Sequence, residues 1–98
     1  MLVVRDVFQA HYGKGDALVA LFRELELFAA PPSTFRILVD ASGPFFTVVT
    51  EISVKDFGEW QRYGEAEMAK PEFAAWFERM TEIVTAGRRE FYTLVAGA

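Results

Sequence analysis

TFRILVDASGPFFTVVTEI, residues 34–52, decides how the chain is read. Phe35, Ile37 and Val39 alternate with Arg36 and Leu38, which is the two-residue period of a half-buried strand. Ala41-Ser42-Gly43-Pro44 then supplies a turn, and a second β-rich run follows from Phe45 to Ile52. Two such runs joined by a short Gly-Pro turn make a hairpin. Phe35, Ile37, Val39, Phe46, Val48 and Ile52 form its inward set. Arg36, Leu38, Thr47, Val49 and Glu51 form its outward set.

On either side of the hairpin the period changes. Val3 to Ala10 alternates loosely and stops at Gly13 and Gly15, so a strand runs into a tight turn. Asp16 is placed to cap a helix whose apolar stripe is Leu18, Leu21, Phe22, Leu25 and Phe28, ended by Pro31-Pro32. After the hairpin, Ser53 and Asp56 read as a capping pair for a second helical region with Phe57, Trp60, Gly64 and Met68 on one stripe. Lys70-Pro71 breaks that helix, since proline is tolerated in a first turn but not in an interior. Phe73, Trp76, Phe77, Met80, Ile83 and Val84 make a further apolar face ending before Gly87, and Arg88 to Val95 reads as a fourth strand.

The order is strand, helix, strand, strand, broken helix, strand. It predicts a ferredoxin-like βαββαβ domain over residues 1–98, an α+β fold with a four-stranded antiparallel sheet and both helical regions on one face. The opposite face, carrying the outward set with Arg5, Val7, Tyr92 and Leu94, mixes apolar, aromatic and charged side chains. A face of that kind calls for a cover, and a second copy of the chain paired across a two-fold axis is the expected partner, giving a homodimer through the sheet face. Ten phenylalanines, two tryptophans and three tyrosines in 98 residues point the same way, being more than one thin layer of helices requires.

Composition excludes several classes. There is no cysteine, hence no disulfide, thiol nucleophile or cysteine metal site. The net charge of -4, with Arg88-Arg89 as the only adjacent basic pair, gives no footprint for a phosphate backbone, so no nucleic-acid partner is expected. The N-terminus reads as a first strand and not as a signal peptide, no apolar run reaches the roughly 20 residues of a membrane span, and a cytoplasmic protein without a membrane partner is expected. Gly13-Lys14-Gly15 lacks the spacing of a phosphate loop, and no metal-ligand spacing occurs among the carboxylates.

The opening strand followed by His11-Tyr12-Gly13-Lys14-Gly15-Asp16-Ala17-Leu18, the hairpin through Phe45, the segment Ser53 to Tyr63 with its central Trp60, and the closing Phe91-Tyr92-Thr93 resemble the dimeric α/β barrel superfamily. The glycine-flanked turn and Phe57-Gly58-Glu59-Trp60 are most similar to its NIPSNAP-like branch, with the antibiotic-biosynthesis-monooxygenase-like proteins beside it. The resemblance covers almost the whole chain. It implies a dimeric α/β barrel with a cleft in each subunit. It leaves the chemistry open, because members include cofactor-free oxygenases, isomerases, haem-degrading enzymes and proteins of structural role.

His11, where the first strand meets the glycine-rich turn, is the candidate base, since it alone has an unshifted pKa near neutrality; an exposed loop histidine is the competing account. Arg36 and Tyr92 are candidate stabilisers of a developing anion. Trp60, Tyr63 and Trp76, with Phe77, read as the lining of an aromatic pocket, although helical spacing makes packing the default for at least one tryptophan. Arg89, like Arg36, could hold an acidic ligand, while Asp6 and Glu51 would need cationic partners if buried. Glu65-Ala66-Glu67 reads as solvated helix surface. No cofactor or metal is implied, and a haem role is disfavoured by the absence of histidine from residues 53–84. The reading is thus a homodimeric NIPSNAP-like protein binding a small, partly aromatic organic ligand. Its alternatives are a cofactor-independent monooxygenase or isomerase, and a noncatalytic structural or interaction protein.

Overall fold

The computed structural model describes residues 1–97. The elements run β1 (Leu2–Ala10), α1 (Gly15–Ala29), β2 (Arg36–Val39), β3 (Thr47–Val54), α2 (Phe57–Met68), α3 (Phe73–Ile83) and β4 (Val84–Thr93). All strand pairs are antiparallel and the order across the sheet is β2-β3-β1-β4, the ferredoxin-like topology. The break near Pro71 separates α2 from α3 as two helices. The expected barrel is corrected here: the sheet is open, with β2 and β4 as its two edges, and it does not close on itself.

Several boundaries move for local reasons. Phe46 has a positive φ of 59°, a conformation a strand cannot continue through, so β3 starts at Thr47 and not at Phe45. That kink lets the Phe46 carbonyl accept the Ala10 N–H at 3.0 Å and lays its ring edge-on to Tyr12, with centroids 4.9 Å apart. β3 runs through Ser53 to Val54, so Ser53 is not the start of α2. Asp56 takes the N-cap, its carboxylate accepting from the Glu59 N–H at 2.9 Å, while the Glu59 carboxylate reaches back to the Lys55 N–H at 2.6 Å. Asp16 lies in the first turn of α1 and not at its cap, where a negative charge still favours the helix start. At the far end, β4 begins at Val84 directly after α3, four residues before the expected Arg88.

The core lies between the sheet and the helices. Leu18, Leu21, Phe22 and Leu25 of α1 meet Val48, Ala10 and Trp76, and a second cluster of Leu2, Val4, Ile52 and Val54 takes Phe35, Trp60 and Tyr63 against it. The Trp76 indole Nε1–H donates to the Leu21 carbonyl at 2.7 Å, tying α3 to α1 within the interior. Val39, expected inward, is 61% exposed because it ends the short edge strand β2. On the opposite face Glu51 accepts Arg5 Nε at 2.9 Å and also Arg36 Nη2.

Candidate functional site

Strand register puts Ile37, Thr50, Asp6 and Arg89 in one row across the helix-facing side of the sheet. A polar row in the floor of a core needs partners, and Asp6 has one. Its carboxylate accepts both Nε and an Nη of Arg89, at 2.7 and 2.9 Å. The Asp6 side chain is 16% exposed and that of Arg89 50% exposed, so the pair spans the boundary between interior and solvent. Over the guanidinium sits Trp60, its ring centroid 4.5 Å from Arg89 Cζ.

α2 brings three side chains to this row by helical spacing, Trp60, Tyr63 and Glu67. α3 brings Phe73, Trp76, Phe77 and Met80, three and four residues apart, as a wall. Phe73 stacks on both Trp76 and Phe77, at centroid distances of 5.8 and 5.9 Å. With Phe22 and Leu25 from α1, these groups enclose a cleft of about 180 Å³ whose floor is the Thr50–Asp6–Arg89 row. Beyond Trp60 and Arg89 the cleft runs onto the surface as a wider groove of about 710 Å³, bordered by Phe57, Met68, Phe77 and Phe91. The Phe57 and Phe91 rings lie 5.1 Å apart at this mouth.

Burial raises the Glu67 carboxyl above the ordinary glutamate range, an effect that Tyr63 and Arg89 oppose and Asp6 reinforces. Burial likewise pushes the Tyr63 phenol up, with the charge of Glu67 adding to it. Arg89 is held more firmly protonated by its bond to Asp6. The cleft therefore offers an acid that keeps its proton unusually well, a phenol, and a guanidinium whose fork is already filled by Asp6. An acidic ligand would have to displace Asp6 to gain a bidentate grip.

Of the residues singled out from the sequence, Trp60, Tyr63, Trp76 and Arg89 converge on this cleft. Arg36 and Tyr92 lie on the other face of the sheet, in register with Glu51 and Val3 respectively. His11 sits on the exposed turn between β1 and α1, its backbone N–H donating to the Ile83 carbonyl at 2.8 Å, and is not among the residues lining the cleft. Glu67 and Thr50 are the cleft groups that sequence reasoning passed over. The stripe read on α2 was rotated by about one position, for Phe57 and Met68 are each 60% exposed while Tyr63 and Glu67 turn inward. The spacing of Glu67, four residues from Tyr63 and seven from Trp60, is the signal that could have found it. Among the described residues, no three His, Asp or Glu side chains converge as metal ligands, and no helix is long and apolar enough to cross a membrane.

No protein-family model matches the chain, and no curated protein matches it significantly. Solved structures do. A NIPSNAP domain protein from Burkholderia xenovorans superposes with a TM-score of 0.83 at 19% identity, covering 100% of this chain and 98% of that one. A NIPSNAP family protein from Agrobacterium tumefaciens superposes with a TM-score of 0.86 at 13% identity, covering 99% and 88%. An antibiotic biosynthesis monooxygenase superposes with a TM-score of 0.71 at 17% identity, covering 98% and 100%. The chain thus has the fold of NIPSNAP-like proteins, shared at low identity with an antibiotic biosynthesis monooxygenase.

Proposed function

We propose that the protein binds a small, partly aromatic organic molecule in the cleft between α2, α3 and the sheet, and that it self-associates through the opposite sheet face. The observation that carries the binding reading is the cleft itself, with aromatic walls, a polar floor and a mouth bordered by exposed aromatic side chains. A dry cavity on the order of 150 Å³ is enough for a benzene ring, so a cleft of about 180 Å³ suits one substituted ring. Any further length of the molecule would lie in the groove. The polar strip favours a neutral hydroxyl, carbonyl or amide, because Asp6 already occupies the guanidinium. The test is a thermal-shift screen of single-ring phenols, amides and ketones, with their carboxylates for comparison. A true ligand at a hundred times its Kd adds about 2.7 kcal/mol, hence roughly 10–20 °C in Tm for a domain of this size. Trp60→Leu is expected to weaken that ligand about tenfold or more. A panel that leaves Tm unmoved, or a ligand indifferent to Trp60, counts against the cleft.

One observation favours a catalytic version, a cofactor-independent isomerase or monooxygenase. Glu67 combines a raised pKa with a place in the cleft beside Tyr63 and Arg89, as a base for an acidic C–H or O–H would require. The ionised form appears only above the ordinary glutamate range, so the rate should climb with pH through that raised value. The check is NMR-monitored deuterium exchange at the acidic position of a bound ligand. Glu67→Gln should slow it about a hundredfold or more, and unchanged exchange removes the catalytic version while leaving binding in place.

A further inference from the structure

α2 carries an apolar stripe that the core does not use. Phe57, Trp60, Gly64 and Met68 follow one another three or four residues apart along the helix. At the rise of an α-helix they cover roughly 16 Å. Across from them stand Phe77 of α3 and Phe91 of β4, and these side chains together border the groove of about 710 Å³ that continues from the cleft. The Phe91 ring closes one side of it, its centroid 5.1 Å from that of Phe57 and 6.0 Å from that of Trp60.

Gly64 stands in the middle of the stripe. Glycine is the poorest helix former after proline, so an interior position holds it at a cost. Each of the other six glycines has a local reason, either a positive φ or a side chain 3.1 or 3.2 Å from where its Cβ would stand. Gly64 has neither, for a Cβ there would meet nothing within 4 Å. The space that a side chain at 64 would enter is the groove itself. The helix gives up stability at this point, and what the molecule gains is an open path from the cleft mouth at Trp60 toward Met68.

We infer that the groove holds an uncharged alkyl tail attached to the ring that fills the cleft, and that Gly64 keeps the path of that tail open. This rests on the binding reading given above and names the class of molecule, a single-ring polar head joined to an apolar chain. Aromatic rings and a thioether pack on methylenes without asking for a polar partner. Glu65 also borders the groove, so a tail ending in a carboxylate would meet a like charge.

The test is calorimetric titration with p-cresol, p-butylphenol and p-hexylphenol, which share a head and differ only in the tail. Each methylene laid in the groove is expected to tighten binding about twofold to fourfold, so p-hexylphenol should bind about thirtyfold or more tighter than p-cresol. Gly64→Leu fills the path and should cut that gain below about fivefold while leaving the p-cresol Kd within about twofold. The variant removes a helix-interior glycine, so it should melt no lower than the unaltered protein, which circular dichroism checks. Should it fail to fold, Gly64→Ala serves, with a smaller loss of the gain. If p-cresol binds and the longer phenols bind no tighter, or if the gain survives Gly64→Leu, the tail site is overturned and the cleft reading stands. If no phenol binds, both fall together. A Gly64→Leu variant that leaves the series unchanged but shifts the molar mass in sedimentation assigns the groove to a protein contact and overturns the inference.

Discussion

Trp76→Ala is expected to cost about 3–5 kcal/mol of stability, the range for deleting a large buried aromatic side chain. That is a large part of the total for a small domain, and it should lower Tm by roughly 15–30 °C. Trp76 is 5% exposed and touches Phe22, Phe28 and Phe73 with its ring. Its indole N–H is also the donor to the Leu21 carbonyl. Alanine therefore opens a cavity where α1 and α3 meet and removes the partner of a buried acceptor. Trp76→Phe separates the two effects, retaining most of the packing and losing the hydrogen bond, for about 1–2 kcal/mol. Chemical denaturation at fixed protein concentration measures both. A loss below about 1 kcal/mol for the alanine variant would mean that Trp76 is not the keystone the packing makes it.

Glu51→Gln is the second large effect, and it depends on pH. The Glu51 side chain is only 8% exposed, shielded mainly by the two guanidinium groups that straddle it. The hydrogen bond from Arg36 does most to hold its carboxyl below the usual glutamate range; burial opposes this and Arg5 assists. A lowered folded pKa means the stabilisation is fully present above the unfolded glutamate value, about 4.3, and is lost as pH falls through the folded value. The arginine partners are 42% and 64% exposed, so water screens the pair and the effect at neutral pH is held to about 1–2 kcal/mol. Denaturation midpoints of the two proteins should differ at pH 7 and converge only as pH falls below the unfolded glutamate value and through the lowered folded one. A gap that persists in acid would show that glutamine perturbs packing and not charge.

The hairpin was legible because its two runs carry the β period and a Gly-Pro turn, and the chain order around it leaves few topologies open. Alternation on β3 correctly assigned Val48 and Ile52 inward and Val49 and Glu51 outward, since one face of that strand is buried and the register is then tightly specified. Element boundaries were less legible. β4 follows α3 without a loop, and although the β-branched run Ile83-Val84-Thr85 favours a strand, Ile83 and Val84 also continue the apolar face of α3, which masks the switch. In the cleft, the aromatic lining could be read from helical spacing, and Asp6 stood out as a strand carboxylate that would need a cationic partner if buried. Glu67 did not, because on a polar helix such as α2 a glutamate looks solvated until the sheet beneath it is in place. Its raised pKa is a product of tertiary burial, which no local pattern encodes.

The cleft is the central claim, and chemical-shift mapping by NMR with one single-ring phenol tests it most directly. Saturable shifts at the Trp60 and Trp76 indole N–H signals and at the Tyr63 and Glu67 amides, with the His11 imidazole unmoved, are the result this account predicts. Shifts confined to the His11 turn or to the outer sheet face, or none at millimolar ligand, would contradict it.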